Sequence, residues 1–359
     1  MSARRRGADE AEAEPPSLLR RILRIGLGGA LAVAILLSFL PGETPGILPP
    51  PPVAPGSTAE EVVASVLASE RLIDGIREGA AKEVVWAGAP GEVTPLSVVY
   101  VHGFSATKAE LRPVPDRVAE ALGANLFLTR LAGHGRTGEA LGRAEASHWM
   151  LDMAEALAVG KAIGERTLVI ATSAGAALAA VSAVEPAGRD GVAGYVLVSP
   201  AFELQASGAR LLRLPFARTL APLILGPERA WEPRNAAHAE GWTARYPTEA
   251  LVPLAGLVDA AALTDYATAS APALFLLSDE DRVVDPEAAR EIARRWGPAP
   301  GAAVVPIALA PGDDPDAHVI AGDALSPGST ERVTEAILDW AAREGLAAPA
   351  AEAPGAEEG

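Results

Sequence analysis

The sequence predicts an α/β fold in which a mainly parallel central sheet is flanked by helices. The first observation is that short apolar segments alternate with helical segments along most of the chain, a pattern typical of βαβ crossovers. The second is that segments such as 97–101 (SVVYV) are unbroken β-rich runs, as expected for strands buried on both faces. The third is the stretch 166–180 (RTLVIATSAGAALAA), in which an apolar strand passes through a tight turn into an Ala-rich helix.

The individual elements follow one another in the order that such a fold requires. Apolar residues at helical spacing predict a first helix over 58–79, with a cap at Ser57 or Thr58. A hairpin-like stretch then leads from 83–86 to the strand at 97–101. Further strands are predicted at 125–128, 168–170, 195–198, 273–277 and 303–307, and further helices at 111–122, 149–163, 287–296 and 330–342.

One long segment, residues 203–271, lacks this alternation and predicts a helical lid over the carboxyl ends of the strands. Within it, 208–226 is rich in leucine and is interrupted by Pro215 and Pro222, so two short helical pieces are expected. We expect the apolar side of these pieces to roof an apolar pocket above Ser173. A packed lid with a solvated face is the alternative.

Composition limits the classes of function. The chain has 359 residues, 49% of them hydrophobic, which is enough to bury a sizeable core. It contains no cysteine, which excludes disulfides, thiolate zinc sites and a cysteine nucleophile. Its formal net charge of −16 argues against nucleic-acid binding, because the basic surface that such binding needs is missing.

The N-terminal part of the chain predicts a membrane anchor. Residues 1–21 are polar and arginine-rich, and 22–40 form an apolar run whose single charge is Arg24. The length of that run is near the lower limit for a spanning helix, and the arginine asymmetry predicts a cytoplasmic N-terminus with an extracytoplasmic domain. A cleaved signal, which would give a secreted or periplasmic protein, and a buried core helix are the alternatives.

Two further segments are expected to lie outside the folded domain at 58–345. Residues 41–57 contain seven prolines and predict a semi-rigid linker that holds the domain away from a bilayer. Residues 346–359 consist almost entirely of Ala, Pro, Gly and Glu and are expected to be disordered.

The turn at 171–175 (ATSAG) has the small-x-Ser-x-small pattern of a nucleophile elbow. Such a turn pushes the serine out above the sheet and forces the residues two before and two after it together, so both must be small. The helix that follows begins at Ala174, so its free N–H groups face any negative charge that develops beside Ser173. Taken alone, the motif also fits an ordinary strand–helix connection with a serine cap.

Five motifs occur in a fixed order: HGF at 102–104, GHG at 133–135, ATSAG at 171–175, DEDRVV at 279–284 and DAHV at 316–319. With these motifs the chain resembles the α/β-hydrolase superfamily over about residues 80–345. It is most similar to the serine esterase, monoacylglycerol-lipase-like and serine-aminopeptidase-like branch. The resemblance implies an α/β-hydrolase fold, with Ser, Asp and His in the chain order of that superfamily. Ala171 stands where the superfamily usually has glycine.

The resemblance also implies roles for individual residues. Ser173 would be the nucleophile, His318 its base, and Asp281 the acid that orients His318. Glu203 is the alternative acid, because some relatives carry the acid after the preceding strand.

Backbone N–H groups of Phe104 and Ala174 would form the oxyanion hole. His102 and His134 lie in loop motifs in which we expect them to have a structural role. A metal site around Asp314 and His318 is disfavoured, since no second histidine accompanies them. No cofactor and no metal are expected.

These features predict a serine hydrolase that cleaves acyl esters through an acyl-enzyme intermediate, with a small, lipid-like ester as its substrate. An aminopeptidase-like or other amide hydrolase of the same fold is the first alternative. A non-catalytic, membrane-anchored binding module with a hydrolase-like fold is the second. Such a degenerate module would usually have lost one of the Ser, Asp and His residues, and none is missing here.

Overall fold

The computed structural model describes residues 22, 25–29, 43–49, 54, 56–206, 208–214, 216–298 and 301–346. Contacts between residues divide the chain into two units, Met1–Pro41 and Gly42–Gly359. In the first unit, residues 25–29 are helical. The predicted polar N-terminus, the remainder of the predicted membrane anchor and the tail from 347 onward lie outside the described residues. Within the described residues, no helix has the length and apolar character needed to span a bilayer.

Part of the predicted linker packs onto the folded unit. Leu48 is buried against its core. The carboxylate of Glu43 pairs with the guanidinium of Arg218, with Oε2 2.9 Å from Nε. The backbone passes so close to Gly256 that a Cβ atom there would lie 2.0 Å from the carbonyl oxygen of Glu43. Residues 43–49 of the predicted semi-rigid linker therefore lie against the domain, because Leu48 and Glu43 find partners there.

A seven-stranded sheet forms the centre of the second unit. The strands within the described residues are β1 (Glu83–Val85), β2 (Ser97–Val101), β3 (Asn125–Leu128), β4 (Thr167–Thr172), β5 (Val192–Val198), β6 (Glu228–Ala230), β7 (Arg245–Pro247), β8 (Ala273–Leu277) and β9 (Ala303–Pro306). The order in the sheet is β1-β3-β2-β4-β5-β8-β9, and every neighbouring pair is parallel except β1 and β3. The remaining strands, β6 and β7, form a separate antiparallel ribbon.

Helices cover both faces of this sheet. The α-helices within the described residues are α1 (Ala59–Arg71), α2 (Val114–Ala121), α3 (Gly138–Gly142), α4 (Ala146–Ile163), α5 (Ser173–Ala183), α6 (Pro186–Arg189), α7 (Ala217–Leu225), α8 (Ala236–Gly241), α9 (Leu251–Leu263), α10 (Pro286–Arg294) and α11 (Thr330–Arg343). Thr58 caps α1, and Asp285 caps α10 by accepting the N–H of Glu287. These observations confirm an α/β-hydrolase fold with a mainly parallel sheet.

Successive residues of the central strands point into two different cores, as the pleat requires. Val99 and Val169 belong to one core, which packs against α1, α4, α5, α9 and α10. Val98 and Leu168 belong to the other, which packs against α2 and α11. Burial on both faces explains why these strands are apolar at nearly every position.

The hairpin predicted between 83–86 and 97–101 is wrong. β1 pairs with β3, where Val84 lies opposite Phe127, and β2 lies between β3 and β4. β1 therefore covers the outer edge of β3, which would otherwise be unpaired. The lid also differs in detail from the expectation, since it contains the β6–β7 ribbon in addition to helices.

Candidate active site

The nucleophile elbow lies at the carboxyl end of β4, in the middle of the sheet. β4 ends at Thr172 and α5 begins at Ser173, whose φ of 52° falls in the left-handed region that non-glycine residues rarely adopt. A Cβ atom at Gly175 would lie 2.4 Å from the carbonyl oxygen of His102. The glycine is therefore required by the close approach of the β2 end, and Ala171 is small enough to remain fully buried in the strand.

The structure brings Ser173, His318 and Asp281 into one hydrogen-bonded relay. His318 Nε2 lies 2.9 Å from Ser173 Oγ, and His318 Nδ1 lies 2.8 Å from Asp281 Oδ2. The other carboxylate oxygen of Asp281 accepts the N–H groups of Val283 and Val284 at 2.8 and 2.9 Å. The acid is thus fixed by the backbone of its own loop, and the imidazole lies between it and the hydroxyl.

The electrostatic surroundings favour protonation of His318. Burial alone would lower the pKa of this imidazole. The hydrogen bond and charge of Asp281, followed by the charges of Glu110 and Asp314, raise the pKa above its ordinary value. His318 is therefore a stronger base than a free imidazole, and its neutral form, which can accept the serine proton, is lost as the pH falls.

The loop that carries His318 is shaped by a carboxylate. Asp314 Oδ2 accepts the backbone N–H groups of both His318 and Val319 at 3.1 Å. The carboxylate of Asp313 is similarly engaged by Gly328 and Ser329. Within the residues that the structure describes, no group of acidic and histidine side chains could hold a metal ion.

His102 orients the segment that follows β2. Burial lowers the pKa of this histidine to about 4, so the ring is neutral. Its Nε2 accepts the N–H of Leu131 at 3.1 Å, which leaves the proton on Nδ1 to be donated to the Gly103 carbonyl at 2.9 Å. Because the peptide unit is planar and trans, fixing this carbonyl also fixes the direction of the Phe104 N–H. The N–H of Ala174 belongs to the first turn of α5 and has no intrahelical acceptor.

A family model described as serine aminopeptidase, S33, matches residues 95–304, which include the elbow, the acid loop and the segment after β2. The chain belongs to the serine aminopeptidase S33 family. The expectation of an α/β-hydrolase superfamily member is thereby confirmed, and the protein is a serine hydrolase.

The chain is also similar to one curated relative and to solved structures. A thermostable monoacylglycerol lipase of Bacillus sp. (strain H-257) is 28% identical over 199 residues, which cover 54% of this chain and 73% of that protein. A metagenome-derived lipolytic enzyme from the study of LipS and LipT superposes with a TM-score of 0.59 at 20% identity and covers 75% of this chain and 99% of that one. A soluble variant of monoglyceride lipase from Saccharomyces cerevisiae, in complex with a substrate analog, gives a TM-score of 0.55 at 16% identity, with 74% and 92% covered. At these identities the two structures show a shared fold.

A cavity of about 620 Å³ adjoins the relay of this S33-family member on the side of His318. Its apolar wall is made by Trp231 and Trp242, whose rings flank His238 at centroid distances of 4.5 and 4.8 Å. Arg234 on the rim is engaged by Asp316 at 2.5 Å. The remaining lining residues are Glu232, which follows Trp231 in the lid, and five residues of the loop after β2, the acid loop and the histidine loop: Ser105, Val283, Asp314, Val319 and Leu325.

The lid residues that we expected above Ser173 lie elsewhere. Leu212 packs with Ala217 and Ala221 of α7 against α9, and Leu223 is 78% exposed. The short helical pieces at 209–225 agree with the expectation, but their apolar side does not roof the cavity next to His318. The reason is that α7 turns Ala217 and Ala221 toward the underlying helix and leaves Leu220 and Leu223 exposed.

The alternative acid, Glu203, does not reach the relay. Its side chain is exposed and lines a separate cavity of about 310 Å³, and its carbonyl accepts the N–H of Asp285 at 2.9 Å.

The sequence reasoning missed one titratable side chain at the site. Glu110 is buried behind Gly103 and accepts its N–H at 2.6 Å. No motif marks it, because a single glutamate seven positions after Gly103 resembles any solvated charge of a short helical turn.

Proposed function

We propose that the protein hydrolyses carboxylic esters through a Ser173–His318–Asp281 triad and an acyl-enzyme intermediate. The observation that carries the proposal is the relay itself, with 2.9 Å between Ser173 Oγ and His318 Nε2 and 2.8 Å between His318 Nδ1 and Asp281 Oδ2. These distances fit a nucleophile, a general base and an orienting acid.

The reaction follows from these positions. Ser173 Oγ attacks the ester carbonyl carbon while His318 Nε2 takes the hydroxyl proton. The carbonyl oxygen becomes an oxyanion, which the N–H groups of Phe104 and Ala174 stabilise. The carbon–oxygen bond to the alcohol breaks, and the alcohol leaves with the proton from His318. Water, deprotonated by His318, then attacks the acyl-enzyme, and the acid is released as Ser173 regains its proton.

Two observations favour esters over aminoacyl amides. The relatives with matching sequence or fold include a monoacylglycerol lipase and lipolytic enzymes. The cavity beside His318 also has an apolar wall of Trp231 and Trp242, which suits an apolar substrate body better than the charged free amine of an aminopeptidase substrate. We therefore propose an acyl ester with a largely apolar body as the substrate.

A fluorophosphonate probe tests the nucleophile. It should label the wild-type protein at Ser173 and leave Ser173→Ala unlabelled, since phosphonylation requires the activated hydroxyl. The same variant should lose nearly all hydrolysis of a butyrate ester, because members of a triad act as a unit. Ser182→Ala, a buried serine of the same helix, is the matched control and should be labelled like the wild type. Equal labelling of wild type and Ser173→Ala would disprove the assignment.

We also propose that residues 22–40 anchor the protein in a membrane with the hydrolase domain outside the cytoplasm. The arginine asymmetry and the length of the apolar run support this proposal. Protease added to spheroplasts should remove the domain and spare the N-terminus. Recovery of a soluble mature protein that begins after residue 40 would instead indicate a cleaved signal.

A further inference from the structure

A buried carboxyl group lies behind the oxyanion segment. Glu110 ends the 3-10 turn Lys108–Glu110 and is 3% exposed. Its Oε2 atom accepts the N–H of Gly103 at 2.6 Å. A Cβ atom on Gly103 would lie 2.7 Å from Glu110 Oε1 and 3.1 Å from Ser173 Cβ. Gly103 is thus sandwiched between this carboxyl group and the nucleophile, with no room for another side chain.

Tyr100 links the same carboxyl group to Thr172, the residue before the nucleophile, through two further hydrogen bonds. The hydroxyl of Tyr100 lies 3.2 Å from Glu110 Oε2 and 3.3 Å from Thr172 Oγ1. Burial, followed by the charge of Glu110, raises the pKa of Tyr100 well above its ordinary value, so the hydroxyl keeps the proton that it donates. A short chain of hydrogen bonds therefore runs from Thr172 through Tyr100 and Glu110 to Gly103.

The charge of Glu110 acts on the relay. Lys108, two positions earlier, pairs with Glu83 and so does not neutralise Glu110. Burial raises the pKa of Glu110 to about 7, although the Gly103 N–H, the charge of His318 and the Tyr100 hydroxyl oppose this rise. In return, the Glu110 charge contributes to the raised pKa of His318, together with Asp281 and Asp314.

We propose that Glu110 is a positioning residue for the hydrolytic reaction, which holds the oxyanion segment at Gly103 and, as a carboxylate, stabilises the protonated form of His318. The inference rests on the proposed function. During acylation the serine proton goes to His318 and then to the leaving alcohol, while Glu110 neither gains nor loses a proton. Its effect is that of a fixed negative charge near the imidazolium and of a fixed acceptor for one peptide group.

The variant Glu110→Gln separates charge from shape, because the amide oxygen can still accept the Gly103 N–H. We expect kcat to fall about tenfold above pH 7, less than the loss of an oxyanion-hole donor would cause, with KM nearly unchanged. The acidic limb of the kcat/KM profile should move to lower pH, because His318 loses a charge that raises its pKa while Asp281 and Asp314 remain. Glu120→Gln, an exposed glutamate of α2, is the matched control and should leave the profile unchanged.

The proposal is wrong if Glu110→Gln hydrolyses esters with the wild-type kcat and if the acidic limb of its kcat/KM profile lies at the same pH as in the wild type. Should that variant fail to fold, Tyr100→Phe replaces it, since it removes a donor to the carboxylate but keeps the ring. Tyr100→Phe should raise the pKa of Glu110. The increase in kcat that accompanies ionisation of Glu110 should then occur at higher pH, and an unchanged profile would overturn the inference. A wild type that neither hydrolyses esters nor reacts with a fluorophosphonate would refute the proposed function instead.

Discussion

Asp281 uses its two carboxylate oxygens for different partners. One accepts two backbone N–H groups of its own loop, and the other accepts from His318 Nδ1. In Asp281→Asn the amide oxygen would keep the backbone contacts, so the NH₂ group would face Nδ1. That arrangement favours the tautomer whose Nε2 carries the proton, and this tautomer cannot accept the proton of Ser173.

We therefore predict that Asp281→Asn lowers kcat by roughly 10⁴-fold, whereas KM for a short ester changes little. The thermal unfolding midpoint should stay close to that of the wild type, because the backbone contacts survive. Steady-state kinetics with a butyrate ester and a circular dichroism melt measure the two quantities. Glu203→Gln is the control and should retain wild-type turnover; the reverse result for the two variants would make Glu203 the acid.

At the scale of elements, the part of the lid nearest the relay is the segment from β6 through α8 to β7. Trp231 follows β6 directly and stacks on His238 of α8, with ring planes 25° apart. This wall faces the cavity on the His318 side. In the reaction proposed above, the leaving alcohol takes its proton from His318 Nε2, so its body departs toward this side. We therefore propose that the wall contacts the alcohol portion of the ester.

We predict that Trp231→Ala lowers kcat/KM about tenfold for benzyl butyrate, because the aromatic alcohol loses apolar contact area. Hydrolysis of ethyl butyrate should change little, since its alcohol is too small to reach the wall. The two alcohols are similar in leaving ability, so the ratio of the two rates isolates binding. Leu223→Ser, on the exposed side of α7, is the matched control. If the ratio of kcat/KM for benzyl butyrate to that for ethyl butyrate falls in Leu223→Ser and not in Trp231→Ala, the outer part of the lid contacts the substrate instead.

At the scale of the whole molecule, the sequence was sufficient to predict the parallel strands and to name the residues of the relay, but not to predict the antiparallel edge of the sheet or the surroundings of the site. Unbroken apolar strands and motifs at strand ends are local signals, and parallel strands bring such ends to one edge. For that reason Ser173, Asp281 and His318 could be named before their distances were known. The pairing of β1 with β3 and the contact of Glu110 with Gly103 depend on which surfaces meet in the folded chain. The expectation that residues 208–226 roof a pocket above Ser173 failed for the same reason, since leucine content does not tell which side of α7 faces inward.

The strand that leads into the histidine loop is one of the two edge strands of the sheet. β9 is four residues long, lies at the sheet edge, is only partly buried and pairs on one side with β8. His318 and Ser173 are 145 positions apart in the chain, so nothing but the completed fold holds them together. Edge elements can open with less free energy than global unfolding requires. Heating should therefore inactivate this enzyme when β9 detaches from β8, at a temperature below the one at which the central strands separate.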